Sequence, residues 1–411
     1  MNGNGEPHDN CLPEDWVEAS IGEITDLVYR YPTYFGITYV DEGVPEVRGE
    51  LLLENGEIES DASKFRFITE QTANKFPKVR LNSGDIIMSV RGTMGKIGIV
   101  REQLQGAVIT ANLIRLSPRR ELLLPDFFRL ALLTPEFGRA LNGASPQTTI
   151  KTITAPALKE LKFAIPNSIE EQRKIAAVLG LVQRAIEQQE RLIVLTTELK
   201  KALLHKLFTE GLRGEPQKQT EIGPVPESWE VAHLDNFCVL QRGFDIIKKE
   251  QVLGEIPVVS SGGIASYHNV AKVKAPGVVV GRKGTLGKVH YLAVDYWPHD
   301  TTLWVKDFKG NDPLFTSYFL QTLRFERYNS GASNPTLNRN TVHGELVAYP
   351  QKKEQTEIGR ILKSVEDKAA GHERKLHTFT DLFRTLLHQL MTAQIRVHDL
   401  DVGETEATGT D

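Results

Sequence analysis

Cysteine is nearly absent from this 411-residue chain, with only Cys11 and Cys238 present. Two distant thiols make neither a disulfide framework nor a thiolate metal site, so a reducing cytoplasm is the expectation. Long apolar runs are missing too. The first twenty residues are polar and acidic, so neither a signal peptide nor a bilayer-spanning segment is expected. An excess of positive charge is also lacking, the formal net charge being −4. That excludes a chain basic all over, but not a nucleic-acid binder, which needs only a local basic face. Residues 75–101 and 242–288 do lean basic, while acidic residues gather at 54–61 and after Asp399.

Catalytic signatures are missing as well. Gly92-Thr93-Met94-Gly95-Lys96 is not a phosphate loop, which needs four residues between its glycines and a Ser or Thr after the lysine; here Ile97 follows. Asn334-Pro335-Thr336-Leu337 lacks the second proline and the aromatic of an amino-methyltransferase motif, and reads as a turn. The histidines show no metal spacing, and no Ser/His/Asp, Cys/His or paired-carboxylate set stands out. Such a chain is expected to bind rather than to catalyse.

What is present is one long helix, written twice. Residues 168–209 contain no proline and a single glycine, Gly180. Ile175, Val178, Leu179, Val182, Ile186, Leu192, Ile193, Leu195, Leu199, Leu203 and Leu207 form an apolar stripe of helical period. Ser168 and Glu171 have capping-box spacing, and Gly211 sits where a C′ residue belongs. A shift of 183 residues carries His205 onto His388, matching helix ends where each histidine suits the C-terminal dipole. The same shift carries Ile175, Val182, Leu199, Leu203 and Leu207 onto Ile358, Val365, Leu382, Leu386 and Leu390. In the second copy Lys352 and Lys353 replace the capping serine, and no glycine follows Thr392.

The stretches before the helices are distant copies too. Trp16 and Trp229 open them in the same manner. Arg91-Gly92-Thr93-Met94-Gly95-Lys96 returns as Lys283-Gly284-Thr285-Leu286-Gly287-Lys288, each between β-branched runs, which predicts a tight hairpin with glycines at positive φ. Gly143-Ala144-Ser145 returns as Gly331-Ala332-Ser333, and Ile165-Pro166 as Tyr349-Pro350. The expected fold class is α+β, with two globular modules alternating with two long helices under a pseudo-two-fold. The expected boundaries are 1–168 for the first module (1–11 disordered), 169–210 for its helix and 211–224 for a polar linker. The second module spans 225–352, its helix 353–392, and a disordered acidic tail 393–411.

Helices of about 40 residues, about 60 Å long, need partners for their stripes, and each is the economical partner of the other. Ile175, Val182, Gln189, Thr196 and Leu203 share one heptad line; their counterparts are Ile358, Val365, His372, Phe379 and Leu386. Pairing as an antiparallel coiled coil is expected, crossing where Gln189 meets His372.

The ordered, duplicated set resembles the specificity subunits of Type I restriction–modification systems over nearly the whole chain. It is carried by Trp16 and Trp229, the two Gly-Thr-x-Gly-Lys hairpins, Ile165-Pro166 leading to Glu171-Gln172, Tyr349-Pro350 leading to Glu354-Gln355, and the Leu-Leu-His-x-Leu-x-Thr helix ends. The resemblance implies two target-recognition domains, each reading half of a split, asymmetric DNA site. It also implies a helical spacer that docks two methyltransferase subunits, with restriction subunits as further partners. No cofactor is expected on this chain; S-adenosylmethionine, ATP and Mg2+ belong to those partners.

Cations place a DNA backbone and polar side chains read base edges. The candidates are Lys78, Arg80, Arg91 and Lys96 in the first module, with Gln147, Thr148 and Thr149 after its Gly-Ala-Ser landmark. In the second they are Arg242, Lys248, Lys249, Arg282, Lys283 and Lys288, with Asn334 after the landmark. Two other classes compete: a coiled-coil scaffold whose modules bind proteins, and an enzyme using the Gly-Thr-x-Gly-Lys loops on a phosphorylated substrate.

Overall fold

The computed structural model describes residues 12–30, 37–91, 93–145, 152–328 and 336–397. No helix among them is long and apolar enough to cross a membrane. The two long helices are unbroken, Ile169–Thr209 and Lys352–Met391. The chain divides into two compact units, Met1–Gln188 with Leu376–Asp411, and Gln189–Lys375. Each unit therefore holds one module, the start of that module's helix and the end of the other helix.

Starts pack on ends, the antiparallel pairing that the heptads predict. In the first unit Ile175 and Leu179 share a core with Leu387, Leu390 and Met391. In the second, Leu207 is buried with Ile358 and Leu362. His372 Nδ1 and Gln189 Oε1 lie 2.8 Å apart, and Gln189 is buried. The matched polar pair of the heptad line thus bond each other, as a register-setting pair does in a coiled coil. The apolar stripe is wider than the seam, however. Leu195, Leu199 and Leu382 are 50%, 48% and 42% exposed, and Leu181 and Val194 more so. An antiparallel partner covers only one face of a helix, so these residues remain outside the pair.

The two modules share a topology. In the first, the central sheet is ordered Thr25–Arg30, Leu113–Pro118, Ile86–Ser89, Ile97–Ile99; in the second, Val239–Arg242, Thr302–Asp307, Gly277–Gly281, Val289–Leu292. A smaller sheet lies beside each. In both, a strand (Val44–Val47 or Ile256–Ser260) pairs antiparallel on one side and parallel on the other. The β-branched runs follow from this layering. Ile86 and Met88 point into one core and Ile87 into another, as Val278 and Val280 do opposite Val279. A strand buried on both faces has no polar alternation to show.

Each helix start is tied to its module by a buried Glu-Gln pair. Gln172 donates from Nε2 to the Leu122 and Pro166 carbonyls (2.9 and 3.0 Å) and accepts from the Leu124 amide (2.9 Å). Gln355, its counterpart, donates to Asn311 Oδ1 (2.6 Å) and the Pro350 carbonyl (2.8 Å), and accepts from the Asp312 amide (2.9 Å). The buried Glu171 receives Arg396 Nε at 2.9 Å and Trp16 Nε1 at 3.4 Å. Glu354 receives the Leu212 amide at 3.0 Å, with Arg213 Nε 3.9 Å away. Arg213 and Arg396 are themselves 183 residues apart.

Three expectations change here. Ser168 accepts the Glu171 amide, but the Glu171 side chain turns to Arg396 and Trp16 instead of closing a capping box. The linker contains a β-hairpin, Gln217–Thr220 with Gly223–Pro226. The proposed tail is structured over 393–397: Ala393 takes the C′ role at φ 55°, Arg396 clasps Glu171, and Val397 is buried. Residues 398–411 and Cys11 lie outside the described residues.

Gln355→Leu keeps the volume but strands a buried amide and carbonyl, each worth about 1–3 kcal/mol. We expect a lower urea midpoint than for the native chain, with the exposed Gln188→Leu near native.

Candidate nucleic-acid interface

The duplicated hairpin is the part on which each site is built. Ser89 N–H donates to the Lys96 carbonyl (2.8 Å) and Gly95 N–H to the Ser89 carbonyl (2.9 Å). Gly281 N–H to Lys288 and Gly287 N–H to Gly281 repeat these bonds at 2.8 and 2.9 Å. Gly95, Gly284 and Gly287 take φ of 91°, 77° and 72°, which the hairpin reading requires. The copies close the loop differently. Ser89 Oγ donates to the Thr93 carbonyl (2.5 Å) and accepts the Lys96 amide (2.9 Å). At Gly281 a Cβ would sit 2.0 Å from the Thr285 oxygen, so no side chain fits there.

A second duplicated piece, not visible in the sequence, is a turn at residues 110–113 and 299–302. Thr110 N–H reaches the Val47 carbonyl (3.2 Å), and Leu113 N–H closes on Thr110 (3.0 Å). His299 N–H to Val259 and Thr302 N–H to His299 match them, both at 2.9 Å. The hairpin caps each turn: Val90 N–H donates to Asn112 (2.9 Å), and Arg282 N–H to Thr301 (2.8 Å). The segments after the polar loops then return to the hairpins, Thr152 bridging Arg91 and Thr336 bridging Lys283. Asn112 is therefore equivalent to Thr301, Ala111 to Asp300 and Thr110 to His299.

In the first module, turn and hairpin line a cleft of about 580 Å³. Ser89, Thr93, Thr110 and Asn112 contribute polar atoms, and Arg48, Arg66, Arg91 and Lys96 ring it. Arg48 pairs with Glu50 and Lys96 with Glu54 (2.7 Å). Arg66 stacks over Tyr39, 5.5 Å from the ring centroid. Neither Arg66 nor Arg91 has a carboxylate partner among the described residues, and both are exposed. Such cations suit phosphate.

Around the equivalent turn of the second module stand Arg242, Arg282, Lys283 and Lys288. Arg242 pairs with Asp300 at 2.8 Å, Arg282 Nη1 lies 3.4 Å from the Asp300 carbonyl, and Lys288 Nζ reaches the Gly262 carbonyl at 3.1 Å. Burial would raise the Asp300 carboxyl, but the Arg242 hydrogen bond and the His299 and Arg242 charges outweigh it and hold it below the usual range. Burial also holds His290 below the usual imidazole range, against its contact with the Ser261 carbonyl. Asp245, His299 and Asp300 bring three possible ligand atoms within 4.8 Å of one another. The Arg242 guanidinium holds one oxygen of Asp300, Oδ2, and its charge opposes a metal ion there.

The sequence candidates separate accordingly. Arg91 and Lys96 share the first cleft; Arg242, Arg282, Lys283 and Lys288 gather at the second turn. Arg80 is engaged elsewhere, by the Gly106 carbonyl (2.9 Å), Asn74 (3.0 Å) and Glu70. The Lys78 amine lies 5.8 Å from the Tyr29 ring centroid. Lys248 and Lys249 are exposed on a separate short turn, Lys248–Glu250. Gln147, Thr148, Thr149 and Asn334 fall outside the described residues. Sequence reasoning missed Arg48, Arg66 and both turns. Each comes from a strand end with no motif of its own, and only the shared hydrogen bonds reveal the equivalence.

Comparison with known proteins gives a consistent result. The family model described as the Type I restriction modification DNA specificity domain matches residues 13–197 and again 226–378. The Type I restriction enzyme MjaVIII specificity subunit of Methanocaldococcus jannaschii is 23% identical over 441 residues, covering 96% of each chain. A second chain of that organism, named for the MjaX specificity subunit, is 24% identical over 430 residues, covering 94% of this chain and 95% of its own. The crystal structure of a Type-I restriction–modification system S subunit from M. genitalium has the same fold: TM-score 0.63 at 18% identity, covering 91% of this chain and 96% of that one.

Gly281→Ala drives its Cβ into the Thr285 carbonyl, and overpacking of this kind costs about 1–3 kcal/mol. We expect a clear fall in thermal stability. Gly138→Ala, in a helix with nothing within 4 Å of the new Cβ, should cause none.

Proposed function

Because the chain belongs to the family of Type I restriction–modification DNA specificity subunits, matched over both modules, we propose that each module reads one half of a split, asymmetric DNA site while the helix pair docks two methyltransferase subunits. The chain is the target-recognition component of its system and a non-catalytic one. Methyl transfer from S-adenosylmethionine, and any ATP- and Mg2+-dependent cleavage, belong to the partner subunits.

One observation carries the reading: two modules present the same hairpin and turn with different side chains. Identical readers would select a palindrome; different readers on one chain select an asymmetric site. The exposed Val194, Leu195 and Leu199 support docking, since neighbouring apolar residues on a helix suit a protein partner better than DNA.

Two experiments test the proposal, both on the chain co-expressed with its methyltransferase subunit and read by mapping N6-methyladenine. Exchanging residues 12–165 for the equivalent module of a relative should change one half of the methylated site; a change in both halves would contradict independent reading. Adding one heptad to both helices lengthens each by about 10 Å, or roughly three base pairs at about 3.4 Å each. The DNA also rotates by roughly a quarter turn, so a longer spacer with weaker methylation is expected, with the bases of each half unchanged. An unchanged spacer at full efficiency would show that the partner subunits, not the helices, set the spacing.

A further inference from the structure

Starting from the reading of the modules as DNA-binding, we propose that the turns at 110–112 and 299–301 are the base-reading segments of the two half-sites, while Arg66 and Arg91 grip the phosphate backbone. The base-edge candidates drawn from sequence lay in the polar loops after the Gly-Ala-Ser landmarks; the structure points to a different segment.

The turns are held alike and filled differently. The parallel strand fixes the start of each, an i to i+3 bond closes it, and the hairpin caps its carbonyl. Those shared bonds use backbone groups; the side chains add only bonds of their own, His299 Nδ1 lying 3.0 Å from Thr301 Oγ1 and the Ser261 amide reaching that hydroxyl at 3.4 Å. The side chains are Thr110, Ala111 and Asn112 in one module and His299, Asp300 and Thr301 in the other. A constant scaffold carrying unlike side chains is what two unlike half-sites require.

Chemistry supports the assignment residue by residue. Asn112 is exposed at the cleft, and its amide can bond the adenine edge through N6 and N7 together. Asp300 accepts only, which suits a base that presents an amino group, and Arg242 keeps it oriented at 2.8 Å. Arg66 and Arg91 stand at the rim of the first cleft without carboxylate partners among the described residues, so binding a phosphate breaks no ion pair there. Arg48 and Lys96 are already paired with Glu50 and Glu54 and contribute less.

The test uses the full chain in complex with its methyltransferase subunit. N6-methyladenine mapping defines the native site, and duplexes carrying it serve for binding. Asn112→Ala should relax one base pair of the first half, with a roughly 5- to 150-fold loss of discrimination there. The second half should stay as it was, and Asp300→Asn should alter the second half alone. Arg66→Ala with Arg91→Ala should leave the motif intact and weaken binding. The slope of log K against log salt should flatten by roughly 1.8, about 0.9 for each lost phosphate. A native complex that methylates no split motif would overturn the bipartite reading, and this inference with it. A native split motif that survives Asn112→Ala, or arginine variants that change the motif and leave the salt slope alone, would overturn this inference and leave the wider reading standing.

Discussion

Each long helix begins with a buried Glu-Gln pair, and the architecture depends on what those two side chains bond. The glutamine binds inward, to its own module. The glutamate binds across, to an arginine just past the end of the other helix. In the first unit Arg396 makes two contacts with Glu171, at 2.9 and 3.1 Å. A buried carboxylate loses several kcal/mol of hydration, which only well-formed partners offset. This clasp can form only when a helix start meets a helix end, so it selects antiparallel pairing. The Gln189–His372 bond adds a second point of register. Apolar residues alone would tolerate slippage along so long a seam; these polar contacts do not.

The clasp also separates what must stay constant from what can vary. Hairpin and turn backbones are held by matching hydrogen bonds in both copies, and each helix-start glutamine accepts a backbone amide and donates to the preceding proline carbonyl. Side chains on the turn take part in almost none of them. Thr110, Ala111 and Asn112 can therefore differ from His299, Asp300 and Thr301 without disturbing the fold. In the second copy the charged residues have drawn one another into contact, Arg242 with Asp300 and Arg282 against its carbonyl. In the first, Arg30 Nε meets the Ala111 carbonyl, at 3.4 Å. The two modules thus present different polar surfaces from the same chain path.

The duplication, the helices and the hairpins were legible in the amino-acid sequence because each depends on residues close together in the chain. A stripe repeats within two turns, and a Gly-x-x-Gly spacing sets its own backbone. Antiparallel pairing was legible as well, since under a pseudo-two-fold the midpoints of the two helices meet, at Gln189 and His372. The capping box was misread for a related reason. Ser168 and Glu171 have the local spacing, but a carboxylate offered Arg396 and Trp16 takes the stronger, distant partners. Likewise the tail reading from 393 counted polar residues and could not see Val397 enter the core.

The sequence by itself determined that there are two modules and two long helices, because periodicity and breakers are local properties. Only the tertiary structure decided which polar residues face a common cleft. Arg48, Arg66, Arg91 and Asn112 come from four separate stretches and meet because parallel and antiparallel strands bring their ends together. It also decided that Leu195 and Leu199 stay exposed, since one partner helix covers one face. Neither fact has a sequence signal, because each depends on which surfaces remain after the helices and sheets have packed.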